Sequence, residues 1–136
     1  MATLFVRAFV LIIALILVTG ITAFAQESQS RPAFIGLVKF NDGSPAPDAT
    51  RVWAVKGTCS SDPYNHCCSP PTCPQAGQYY IDSQDPGLCE YGTYTVYAFY
   101  DNTGQGWSCS GSTVVTWDAQ NDPATANITM NPCQDY

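Results

Sequence analysis

From residue 33 onwards the chain alternates between apolar and polar positions, in short runs separated by Gly, Pro, Asn and Asp. No apolar spacing of three and four residues persists for two turns, so no helix is expected. The runs predict strands at about 33–40, 50–56, 77–82, 92–101, 107–117 and 125–131. Asn41-Asp42-Gly43 closes the first run, and Asp101-Asn102-Thr103-Gly104 turns the fourth into the fifth. The clearest strand is Gly92 to Tyr100. Tyr94, Val96, Ala98 and Tyr100 share one of its faces, while Thr95, Tyr97 and Phe99 share the other. Aromatic bulk on both faces marks a central strand. Short strands, tight turns and no helices predict an all-β fold, a single small antiparallel β-sandwich of about six to seven strands with a disulfide-rich loop.

The first run, Phe34-Ile35-Gly36-Leu37-Val38, is followed by Asp42-Gly43-Ser44-Pro45-Ala46-Pro47-Asp48-Ala49. This opening resembles that of carboxypeptidase regulatory-like domains, which are transthyretin-like β-sandwiches. Gly77-Gln78-Tyr79-Tyr80-Ile81 and Gly92-Thr93-Tyr94-Thr95-Val96-Tyr97-Ala98 are similar to the family's third and fourth strands. The likeness spans about 33–131 and implies a non-catalytic role, with no shared catalytic residues to carry across. Two departures stand out. Apolar alternation after Ala49 resumes one residue late, at Val52, which predicts a bulge; and 57–76 is a long cysteine-rich insertion.

The start of the chain changes the setting. Arg7 precedes an apolar run from Ala8 to Val18, shorter than the ~20 residues a membrane span needs. Ala23-Phe24-Ala25 then offers small residues where a signal peptidase reads. Residues 1–25 are therefore expected to be a signal peptide, 26–32 a short polar lead-in, and 33–136 the sandwich domain. A secreted protein, extracellular or periplasmic, follows, with no membrane contact after cleavage. Removing Arg7 with the leader leaves four basic residues against eleven acidic ones, a net charge of −7. Nucleic acid and anionic membranes are thereby excluded as partners, since both demand a basic surface.

All seven cysteines lie beyond the leader, in a compartment where disulfides persist. Four of them (Cys59, Cys67, Cys68 and Cys73) fall in the 57–76 segment, where crosslinks replace a core. If six strands run alternately up and down, that loop, the 102–106 turn and the C-terminal tail share one end. Cys59, Cys67, Cys68, Cys73, Cys109 and Cys133 then gather as the disulfide formers. Cys109 and Cys133 are expected to bridge to the loop or to each other. Cys89 falls at the far end and is expected to be the free thiol, buried rather than a site of dimerisation. Adjacent Cys67 and Cys68 take different partners, because a ring between neighbours is strained. An extra reversal at Gly111 would invert this parity.

Candidate chemistry is sparse. His66 beside the loop cysteines lacks a Cys-x-x-Cys pair, so no metal and no cofactor are expected. No third group orients a His–Cys dyad, and an enzyme is not expected. Asp82 with Asp85, and Asp118 with Asn121 and Asp122, match no calcium-loop pattern. Asn127-Ile128-Thr129 is a glycosylation sequon, used only in a eukaryotic secretory pathway. Aromatic residues remain. With Phe34, Val38, Tyr94 and Val96 inward, Tyr97 and Phe99 face out; the pattern assigns no side to Trp53, Trp107 or Trp117. The expectation is a monomeric, non-catalytic binding or structural module whose partner is an extracellular protein or a glycan. Its recognition surface is placed on the 57–76 loop. The alternative is a carbohydrate-binding protein using Trp53, Tyr97, Phe99 and Trp107.

Overall fold

The computed structural model describes residues 30–136. The signal peptide expected at 1–25, and 26–29 of the lead-in, lie outside the described residues. Among these there is no helix; ten strands build a small β-sandwich. They are β1 (Pro32–Lys39), β2 (Arg51–Lys56), β3 (Cys59–Ser60), β4 (Asn65–His66), β5 (Gln78–Asp82), β6 (Gly92–Asn102), β7 (Trp107–Trp117), β8 (Ala124–Thr125), β9 (Ile128–Thr129) and β10 (Gln134–Asp135). In the smaller sheet, β1 lies between antiparallel β5 and the parallel pieces β8 and β9. The larger sheet runs β10-β7-β6-β2, with β3 and β4 along the outer edge of β2.

Alternation explains what lies between the sheets. Phe34 and Val38 of β1, and Tyr79 and Ile81 of β5, face Val52 and Ala54 of β2 and Tyr94, Val96 and Ala98 of β6. Burying each large apolar side chain stabilises the fold by roughly 1.5–3 kcal/mol. The Phe34 ring meets Tyr94 at 5.1 Å and Trp117 at 5.5 Å, edge-on or tilted. The run expected at 125–131 splits because residues 126–127 leave the ladder. Ala126 N–H still donates to the Ile35 carbonyl (2.8 Å), but Leu37 N–H donates to the Asn127 side-chain Oδ1 (3.0 Å). Gly36 is required here, since a Cβ would collide with the Ala126 carbonyl. Tyr79 hydroxyl donates to that same carbonyl (2.6 Å). The bulge expected after Ala49 is absent: β2 and β6 pair without a break from Arg51–Phe99 to Val55–Thr95. The register shift falls in β1, between Pro32 and Phe34.

The path of 57–76 corrects the cysteine assignment. Cys59 lies opposite Lys56, and His66 opposite Arg51, both antiparallel. The segment therefore doubles back along β2 instead of staying at one end. This added ribbon reverses the parity of the strands after it, so Cys59 meets the segment that leads into β6. Cys89 is not free but bridges Cys59, with Cα atoms 5.8 Å apart. Cys67, expected in a bridge, is the unpaired thiol, and it is buried. Cys68 pairs with Cys73 inside the loop. Cys109 and Cys133 pair with each other, one of the two arrangements expected.

Candidate functional site: the outer face of the large sheet

On β2 the residues pointing away from the core are Arg51, Trp53 and Val55; on β6 they are Thr93, Thr95, Tyr97 and Phe99. Antiparallel register sets them in rows that β7 continues. Arg51 lies beside Phe99 and Ser110, Trp53 beside Tyr97 and Ser112, and Val55 beside Thr95 and Val114. The Trp53 and Tyr97 rings stack with centroids 5.5 Å apart and planes 17° from parallel. The Arg51 guanidinium sits 5.2 Å from the Phe99 ring centre. Such contacts contribute about 0.5–1.5 kcal/mol each and fix the rings before any ligand arrives. Tyr97 is 36% exposed and Val114 66%, while Trp53 and Phe99 are half-buried.

Three of the four aromatic residues singled out from sequence are thus brought together. Trp107 is not among them. It shares the inward parity of Cys109 and Trp117, lies 5.5 Å from the Tyr100 ring, and seals the core edge that Phe40 reaches through Tyr100. Arg51 was missed, although its place two residues before Trp53 on one strand puts both on the same face.

The cysteine-rich ribbon borders this face through His66, the neighbour of Arg51. Its tip is held as well as crosslinked. Asp62 Oδ1 accepts the Tyr64 N–H (2.8 Å), and Asp85 Oδ2 accepts the Asp62 N–H (2.9 Å). Tyr64 stands out from it, 69% exposed. Deeper in, burial and the nearby Asp48 carboxylate push the Cys67 thiol up to about 12. A neutral thiol at ordinary pH is neither nucleophile nor metal ligand.

The acidic turns are spent on the backbone. Asp82 Oδ1 accepts the Gln84 N–H, Asp85 Oδ1 the Gly87 N–H, and Asp118 Oδ1 the N–H groups of Gln120 and Asn121. Asp122 is a cross-brace. It accepts from the Trp117 indole (3.1 Å) and the Tyr91 hydroxyl (3.0 Å), and it pairs with Arg31 (2.9 Å). The indole bond, with Tyr91 and Arg31 behind it, holds its carboxyl below the usual range against the opposing effect of burial. Among the described residues, no three His, Cys, Asp or Glu side chains are placed to hold a metal.

No protein-family model, curated protein or solved structure matches this chain. Three disulfides are what an oxidising, extracytosolic compartment preserves. Among the described residues no helix is long and apolar enough to cross a membrane.

Proposed function

We propose that this protein is a secreted, non-catalytic recognition module, exported by cleavage before Gln26. Its working surface is the open aromatic face of the large sheet together with the crosslinked ribbon beside it. The single observation that carries this reading is that Trp53, Tyr97 and Phe99 face solvent-side on a rigid sheet, with no segment among the described residues laid over Tyr97. A structural role alone gives no reason to leave the Tyr97 ring exposed, within a half-buried aromatic row, at the centre of a sheet. The likeness to carboxypeptidase regulatory-like domains belongs to the same proposal. It is supported by the Phe34-Gly36-Val38 face and by the Asp42-Gly43 turn, whose Asp42 Oδ1 accepts the Ser44 N–H (2.8 Å).

A glycan ligand is favoured by one further feature. The Trp53–Tyr97 pair is flanked by the hydroxyls of Thr95, Ser110 and Ser112, so a sugar ring stacked on Tyr97 meets hydrogen-bonding groups on both sides. Binding to a panel of soluble polysaccharides and immobilised glycans tests this. Tyr97→Ala is expected to weaken binding about tenfold or more, equivalent to roughly 1.4 kcal/mol, and Tyr64→Ala, on the bordering ribbon, to weaken it less. Loss with Tyr64→Ala alone moves recognition to the ribbon tip, and absence of any glycan binding defeats the sugar reading.

A further inference from the structure

The free edge of β7 lies one strand beyond the aromatic residues of β6 and carries a different consequence. Asn131 N–H donates to the Ser110 carbonyl from outside the sheet (2.8 Å). Even-numbered residues of β7 therefore turn their backbone N–H and C=O away from β6. Among the described residues, nothing bonds the outward backbone groups of Ser112, Val114 or Thr116. The open stretch is bounded at both ends. On one side β10 and the Cys109–Cys133 bridge hold the tail against Trp107 to Ser110. On the other, the Asp118 carboxylate fastens the turn that leads away. Between edge and turn runs a cleft of about 500 Å³, whose lining includes Val114, Thr116, Asn121, Asp122 and Thr125.

Exposed edges are normally blunted by charged residues, Pro or bulges. Here there is no Asp, Glu, Lys, Arg or Pro between Asp101 and Asp118, and the β6–β7 register is unbroken. The open strand is also its own complement. Antiparallel pairing about Val114 sets Val114 opposite its copy and Ser112 opposite Thr116, each pair exchanging two backbone bonds. Extension stops of its own accord, because one chain's turn at Asp118 meets the other's tail at Ser110. Charge opposes the pairing: two exported chains of net −7 repel, although the open stretch from Gly111 to Trp117 itself carries no carboxylate and the nearest ones, Asp118 and Asp122, lie at its far end.

We propose that two copies of this chain associate through β7, edge to edge, making one continuous sheet across a two-fold axis at Val114. Such a dimer replaces the monomer expected from sequence and needs no thiol to form, since Cys67 is buried. The dimer places two aromatic rows on one surface, but it does not depend on what those rows bind.

Sedimentation of the intact exported protein over a concentration series tests the pairing. Wild type is expected to reach twice the mass of one chain, with the dimer fraction rising as salt screens the like charges. Val114→Pro removes an N–H that the monomer does not use, and is expected to halve the mass. If Val114→Pro fails to fold, Val114→Lys, at a solvent-exposed side chain, serves the same purpose. Register is read by oxidative crosslinking. Val114→Cys places two thiols at a paired position, Cα atoms about 5.5 Å apart, and is expected to yield a covalent dimer. Ser112→Cys places them about 13 Å apart along the strands, and is expected to yield none. Wild type that stays monomeric up to about 1 mM overturns the proposal, even if it captures an extended peptide along this edge. A dimer that survives both Val114 variants, or a Ser112→Cys variant that crosslinks as fast as Val114→Cys, overturns it equally.

Discussion

Removing the Cys59–Cys89 bridge tests the chain path most directly. The two residues are 30 apart in sequence, so the bond closes a large loop in the unfolded chain. Chain entropy then assigns it about 3.6 kcal/mol of stabilisation at 25 °C. The Cys68–Cys73 bridge spans only 5 residues, and the same relation gives it about 2 kcal/mol. Small domains are stable by about 5–15 kcal/mol in total, so the first loss is severe and the second tolerable. The assay is urea unfolding of two double variants, Cys59→Ala with Cys89→Ala, and Cys68→Ala with Cys73→Ala. Replacing both partners avoids stray thiols. Free energies extrapolated to water are the quantity to compare, because opening a crosslink also expands the unfolded state and raises the denaturant slope. The Cys59/Cys89 variant is expected to be the weaker by about 1.5 kcal/mol. Equal costs, or a larger cost for the short loop, would refute the entropic assignment. Peptide mapping that finds Cys89 as a native thiol would refute the doubled-back ribbon itself.

Two further predictions concern titrating groups. Because the Asp122 carboxyl is held below its usual 3.8, its ionised form stabilises the fold fully above about pH 4, and that contribution fades as pH falls through the lower folded value. Asp122→Asn is expected to lower stability by on the order of 1 kcal/mol at pH 7, with the loss shrinking as pH falls below about 4. A loss that stays constant from neutral into acid pH in urea titrations rules out the charge as the cause. Cys67, raised from 9.0 to about 12, carries about a thousandfold less thiolate than an ordinary thiol. Native protein at pH 8 is expected to resist thiol reagents, with one thiol per chain reacting after denaturation. Prompt native labelling at Cys67 would contradict its burial.

The sandwich was legible in the sequence because alternation needs only local information. Tyr94, Val96 and Ala98 declare one face of β6, and Tyr97 and Phe99 are then forced onto the other. The strand limits followed, since Gly, Pro, Asn and Asp mark where the backbone must turn. The cysteine pairing was not legible, because it depends on the direction of every strand. Direction was lost at β3 and β4, two residues each, which are too short for any periodicity to register. Trp107 was ambiguous for a related reason. β7 carries bulk at both parities, Val114 outward and Val115 inward, and only pairing with β6 decides between them. Asn127 shows a third limit: a side-chain oxygen replaces a ladder carbonyl there, and the expected strand breaks in two.

The chain comes into the sandwich at one end and leaves it at the other. Arg31 is fastened beside the 118–123 turn through Asp122, whereas the tail is stapled next to the 103–106 turn through Cys133. An eleven-residue strand such as β7 spans about 36 Å between those ends. Immobilised or fused through the residues ahead of Ser30, the molecule stands upright like a post. Its aromatic row and its open strand then both point sideways, unobstructed by the attachment, and the tail is presented at the tip.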